Sequence, residues 1–207
     1  MGRLNSGLKA LIDRDSDLAR AFKAAGAPAS RKRPPEFASL LRIIINQQVS
    51  VQAGQAIWRG LETGIKALTP EAILEVSVED LRGCGLNKAK AVYAKELAGA
   101  ITNGSLDLDG LKWLDDDEVL QQLTRIKGIG RWTAEIYMMF ALGRPDIWPA
   151  GDLALAVAVE RLLGLAERPG PKKLEAIAEG WRPWRTSAAV MLWHYYKHAG
   201  PMGKTQR

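Results

Sequence analysis

The sequence predicts an all-α fold, on three observations. Apolar residues recur at i, i+3 and i+4 along nearly the whole chain, as in Leu8, Leu11 and Ile12, then Leu18 and Phe22. No stretch combines β-branched residues with strict apolar–polar alternation, which removes the signal a half-buried strand would leave. Capping residues and glycine or proline breaks occur at intervals that suit short helices joined by short turns.

The elements follow in order. After Arg31-Lys32-Arg33-Pro34-Pro35, the residues Leu40, Leu41, Ile44 and Ile45 mark a strongly apolar helix. Thr69-Pro70-Glu71 reads as a cap with proline at the first helical position, and Ser77-Val78-Glu79-Asp80 as a capping-box-like start. Asn87 can cap a helix running through Tyr93, Leu97 and Ile101 as far as Asn103-Gly104. Asp115 to Glu118 place negative charge at the positive end of a helix covering Val119 to Leu123. Further helices are expected at about 131–142, 152–164, 172–180 and 185–198, roughly ten or eleven in all. No long linker splits the chain, and Arg31-Lys32-Arg33-Pro34-Pro35 and Gly143-Arg144-Pro145 are the best candidate seams.

Composition excludes several function classes. With 207 residues and 47% hydrophobic content the chain can bury a real core, so disorder and a coiled coil are out. One cysteine, Cys84, cannot make an internal disulfide, a cysteine zinc site or an iron–sulfur cradle. His194 and His198 have a chelating i, i+4 spacing but no accompanying HExxH glutamate. No apolar run approaches a membrane span, and Met1-Gly2-Arg3 does not open a signal-peptide core, so an intracellular, cytoplasmic setting without a membrane partner is expected. The net charge of +6 allows a polyanion partner. Two basic groups carry that option: Arg82, Lys88, Lys90 and Lys95 around a glycine turn, and Arg182, Arg185, Lys197, Lys204 and Arg207 in a tail lacking acids after Glu179. Solvated helix faces explain both equally well.

Leu123 to Ala134 is the most specific stretch. Apolar Leu123 and Ile126 end one helix, Gly128-Ile129-Gly130 makes a tight turn, and Ala134 permits close packing of the next helix. Glycines at both ends of the turn allow unusual backbone angles and let an anion approach the free amides at a helix N-terminus. Ile129 is expected between the two helices. This is a helix-hairpin-helix design for gripping one DNA phosphate without reading sequence, with Gly128, Ile129, Gly130 and Thr133 as the contacting residues; an ordinary αα-hairpin is the competing reading. About twenty residues further on, Trp148-Pro149-Ala150-Gly151-Asp152 opens an apolar helix, where Asp152 reads at minimum as a capping carboxylate.

A glycine hairpin followed by Pro-x-x-Asp resembles the helix-hairpin-helix DNA glycosylase superfamily, in which that Asp is catalytic. Asn46-Gln47-Gln48-Val49-Ser50-Val51 is similar to the family's Gln-x-Val-Ser stretch. Trp181-Arg182-Pro183-Trp184-Arg185-Thr186-Ser187-Ala188 is similar to a terminal motif of the bacterial 3-methyladenine DNA glycosylase II branch. The similarity spans about residues 37–198. It implies a two-lobed helical glycosylase core, with residues 36–140 as one lobe containing the helix-hairpin-helix at about 120–142, 1–35 with 141–207 as a second lobe carrying Asp152, and the active site in the cleft between the lobes. The chain is shorter than well-known members that begin with a sheet domain, so the catalytic core alone is expected.

The resemblance implies a monofunctional glycosylase that flips alkylated bases out of damaged double-stranded DNA and hydrolyses the base–sugar bond, as a monomer and without a cofactor. Asp152 is the implied catalytic carboxylate. Trp132 stands where lyase-competent members carry lysine, and Lys127, before the turn, is not assigned that role. Trp132 and Trp193 match the family's base-pocket aromatics. The aromatic expected four residues after Trp132 is replaced by Ile136, with Tyr137 beside it, and this departure keeps other lesions such as hypoxanthine or uracil in play. Gln48 matches the wedge position that fills the gap left by the extruded base, with Gln47 beside it; the alternative is an amide pair closing a helix end. A monovalent cation at hairpin carbonyls between Arg125 and Gly130 is a family feature. Trp58, Trp113, Trp148, Trp181 and Trp184 are expected to pack, and His194 and His198 to be polar or phosphate-facing groups on the last helix. A non-catalytic hairpin module that only holds DNA is the alternative from another class.

Overall fold

The structure is a computed structural model that describes residues 3–199, with side chains from Ser6 onward. Met1, Gly2, Lys204 and Arg207 of the sequence reading lie outside the described residues. Among the described residues there are twelve α-helices, two short 3-10 turns and no strand. The helices are one or two more than periodicity predicts. One extra break occurs at Asp15, whose carboxylate accepts the amides of Asp17 and Leu18 and so starts a new helix directly after Arg14.

The chain divides into two compact units, one made of residues up to Arg31 together with those from Arg144 on, the other of Lys32–Gly143. The second unit is built around α3 (Phe37–Ile45), seven of whose nine residues are buried. Against it pack α4 (Val51–Gly64), α7 (Lys88–Thr102) and α9 (Arg131–Phe140). The short α5 (Pro70–Glu75) and α6 (Val78–Gly83) lie on α7, and α8 (Asp116–Thr124) pairs with α9. The caps read from sequence do the local work. Thr69, Ser77, Asn87 and Asp115 each accept an amide in the first turn that follows, and Ser77–Asp80 and Asp115–Glu118 are full capping boxes. Caps of this kind stabilise a helix by about 1 kcal/mol each.

The first unit joins both ends of the chain. Helices α1 (Arg3–Arg14), α2 (Ser16–Ala25) and α10 (Leu153–Leu163) pack on α12 (Arg185–His198). Its core includes Leu11, Leu18, Leu155, Val159, Met191 and Leu192, all at or near zero exposure. Truncating such a leucine to alanine costs roughly 2–5 kcal/mol. Helix α11 (Pro171–Ala178) runs into a 3-10 turn, Glu179–Trp181. Asp15 reappears here, its second oxygen accepting the Trp181 indole N–H at 2.8 Å. His194 Nε2 lies 2.8 Å from the Ala25 carbonyl oxygen, which requires a proton on that nitrogen, so this histidine is tied to the end of α2 rather than turned to a phosphate.

Of the five tryptophans expected to pack, Trp58, Trp148 and Trp181 are buried and Trp184 is half-buried. Trp113 differs. It is 81% exposed, with the Lys112 ammonium 5.3 Å from its ring centre, because it ends an isolated 3-10 turn, Gly110–Trp113, whose buried residue is Leu111.

Candidate functional site

In the Lys32–Gly143 unit, α8 and α9 form the predicted hairpin. Gly128 adopts φ +93°, and a Cβ there would lie 2.2 Å from the Tyr93 ring, so fold and backbone angle both demand glycine. Gly130 is different: its φ is −84° and a Cβ would meet nothing within 4 Å. Space rather than strain distinguishes that position. It is the residue before the first turn of α9, where the helix dipole favours an anion. Ile129 is buried, as its place between the helices requires.

The loop after α3 is tied to this hairpin. The Gln47 side-chain N–H donates to the Gly128 carbonyl at 2.9 Å and to Thr133 Oγ1 at 2.8 Å. Gln47 is therefore a strut rather than a gap-filler, because its amide is consumed on the hairpin. The Thr133 hydroxyl is turned inward by the same bond and the residue is 3% exposed, so its side chain cannot meet a phosphate. Lys90 completes the brace. Its buried ammonium donates to the carbonyls of Ile45 at 2.7 Å and Gln47 at 2.8 Å, and burial pulls it below the ordinary lysine value. Sequence reasoning counted Lys90 among surface cations; nothing local distinguishes a lysine that caps a distant helix. Lys95 likewise donates to the Leu74 carbonyl.

Gln48 is the outcome of that bracing. It is exposed and has φ +52°, the one left-handed non-glycine residue among those described. Such a conformation costs of order 1 kcal/mol and persists where neighbours over-determine it. Val51, just beyond it, is 75% exposed, although the sequence offers no hint that this valine leaves the core. Trp132 is half-buried at the start of α9. Tyr137 is fully buried, with its hydroxyl lacking a hydrogen-bond partner among the described residues and its pKa pushed up by burial. Tyr137 is thus removed from the candidate base-contacting set, because the helical phase that brings Trp132 outward turns it into the core. Ile136 is also largely buried, at 9% exposure.

In the other unit, Asp152 is the N-cap of α10, with Oδ1 accepting the Leu155 amide at 2.9 Å. The capping role is real and incomplete as an explanation. The same oxygen accepts the Trp193 indole N–H from α12 at 3.0 Å, a bond that capping does not require. Asp152 is half-buried and Trp193 is 8% exposed. Leu153, which starts the helix, is 63% exposed where the sequence pattern expects core. The Trp181–Ala188 motif places this acid. The Thr186 hydroxyl donates to the Arg144 carbonyl and accepts the Ile147 amide, while the Arg185 guanidinium grips Asp146 at 2.9 Å. Trp148 packs edge-on to Trp181 at 5.3 Å. The loop from Arg144 to Ala150 is thereby fixed from α12, and Asp152 follows it. Arg182 bonds Asp146 and Glu179, so two cations of the basic tail are internally paired and not offered to a polyanion. Arg31, which sequence reasoning did not assign to the site, lies with its guanidinium carbon 5.6 Å from the centre of the Trp193 ring.

Among the described residues no group of three or more His, Cys, Asp or Glu side chains could hold a metal ion. The alkali cation implied at the hairpin would meet carbonyls at Ile126, Gly128 and Gly130 that already accept N–H groups of Ile129, Gln47 and Ala134. A carbonyl keeps a second lone pair and oxygen donors suit a hard cation, so the donor set is compatible. No helix among the described residues is long and apolar enough to cross a membrane.

Residues 41–183 match the family model described as the HhH-GPD superfamily base excision DNA repair protein. The chain belongs to the HhH-GPD superfamily. It is 32% identical over 207 residues to the alkylbase DNA glycosidase-like protein mag2 of Schizosaccharomyces pombe, covering 90% of this chain and 97% of that one. The solved structure of the Schizosaccharomyces pombe 3-methyladenine DNA glycosylase Mag1 in complex with abasic DNA is 30% identical. It superposes with a TM-score of 0.83 over 91% of this chain and 95% of that one. DNA-3-methyladenine glycosylase 2 of Escherichia coli is 25% identical over 126 residues, 61% of this chain and 42% of its own length. The chain thus spans less than half of that bacterial relative.

Proposed function

We propose that this HhH-GPD protein is a monofunctional DNA glycosylase that releases alkylated bases such as 3-methyladenine from duplex DNA. The observation that carries the reading is the Asp152 carboxylate, held at a helix start and bonded by a distant indole N–H. Cleaving a base–sugar bond develops positive charge on the sugar, and a fixed carboxylate is the electrostatic complement to that charge. Asp152 supplies it and orients the attacking water. The hairpin amides after Gly130 hold a backbone phosphate of the same duplex, and exposed Gln48 enters the gap left by the extruded base. Trp193, bonded to Asp152, borders the place where the base leaves. With Trp132 where lyase-competent relatives carry lysine, water is the final acceptor and the strand is left unbroken.

Incubating the protein with methylated duplex DNA tests this: free 3-methyladenine should appear, with abasic sites and no strand nicks. Asp152→Asn should lower single-turnover release by at least about 10²–10³-fold while DNA binding persists. Undiminished release by that variant would remove Asp152 from the mechanism, and salt-sensitive binding without any released base would favour the non-catalytic module.

A further inference from the structure

Arg31 belongs to the coil between α2 and α3 and reaches Trp193, whose N–H bonds Asp152. Three segments far apart in the chain, ending in a cation, an indole and a carboxylate, therefore converge at one place in one unit. Desolvation of the guanidinium where it approaches the Trp193 ring lowers the Arg31 pKa from the ordinary arginine value, and the Asp152 charge acts in the opposite direction, so the two charges sense each other. An arginine in this range stays cationic at neutral pH. The residue as a whole is exposed, and its guanidinium acts on the site from its place over the Trp193 ring.

We infer that Arg31 is a specificity-determining residue that biases the Asp152–Trp193 site toward bases that leave as anions and against bases that enter as cations. The inference rests on the glycosylase reading and deepens it. In the reaction the bond between the sugar's anomeric carbon and the base nitrogen breaks, and its electron pair leaves with the base. Water oxygen bonds to the anomeric carbon and gives up a proton to Asp152 or solvent. A cationic base such as 3-methyladenine departs neutral. A neutral base such as hypoxanthine departs as an anion and then takes a proton from water. A guanidinium beside the Trp193 indole repels the first on entry and stabilises the charge that grows on the second. Both effects move selectivity in one direction.

Single-turnover release of 3-methyladenine and of hypoxanthine from matched duplexes, by the wild type, Arg31→Gln and Arg31→Lys, tests the inference. The ratio of hypoxanthine to 3-methyladenine release should fall about tenfold in Arg31→Gln and stay near the wild-type value in Arg31→Lys, which keeps the charge. Equal loss on both bases in Arg31→Gln would mean a structural role and overturn the inference while leaving the glycosylase reading intact. Release by the wild type confined to the cationic base would overturn it too. A wild type that releases neither base overturns both readings.

Discussion

The hairpin and the acid site are built by opposite strategies. Leu123 to Ala134 is one continuous stretch whose shape follows from its own residues: a helix end, a glycine with φ +93°, a buried isoleucine and a helix start. The acid site borrows from everywhere. Asp152 is bonded by Trp193, 41 residues away, its approach loop is locked by Thr186 and Arg185, and Arg31 arrives from the other end of the chain. A phosphate clamp needs only backbone amides in a fixed turn, which local sequence can specify. A carboxylate intended for chemistry needs its surroundings set from several directions, and only packing can bring those together.

Substitutions at the two hairpin glycines should separate fold from ligand. Gly128→Ala forces a left-handed alanine against Tyr93 and is expected to cost about 2–4 kcal/mol of stability in denaturant melts. Gly130→Ala meets open space and should leave stability within about 0.5 kcal/mol. On the proposed hairpin–phosphate contact its effect belongs to DNA affinity, which should weaken because the added methyl would crowd the incoming phosphate. If both variants melt alike, the division between the glycines is wrong.

On the other side of the comparison, Trp193→Phe removes the N–H that Asp152 accepts while keeping its Leu155 cap. A hydrogen bond to a charged acceptor contributes roughly 1.5–3 kcal/mol, so base release should slow by at least about tenfold, with α10 intact by circular dichroism. Unchanged release would reduce the Trp193 bond to packing. The smallest effect is expected at Tyr137→Phe. Deleting a buried hydroxyl without a hydrogen-bond partner should be neutral or stabilise by up to about 1 kcal/mol and leave base release unaltered. A clear loss of activity there would return Tyr137 to the base-contacting set.

Much of the fold was legible because helix starts are written locally: Thr69, Ser77, Asn87 and Asp115 cap the helices their positions announce. Asp152 was legible for the same reason, as a capping residue in a Pro-x-x-Asp setting. Misreadings cluster where a side chain's partner lies far along the chain. Lys90, Arg182 and Arg185 look like surface charge, yet they bond the Ile45 carbonyl, Asp146 and Glu179. Gln47 looks like part of a gap-filling loop, yet its amide is spent on Gly128 and Thr133. Trp113 and Val51, apolar by type, stand in solvent.

The sequence by itself determined the helical class, the caps, the hairpin turn and the position of one carboxylate, because periodicity, capping and glycine angles act within a few residues. Only the tertiary structure decided that Gln48 rather than Gln47 is presented, that Tyr137 is sealed in the core, and that Arg31 and Trp193 attend Asp152. Those outcomes depend on which side chains compete for the same buried carbonyl, ring face or carboxylate oxygen, and that competition exists only once distant segments are packed together.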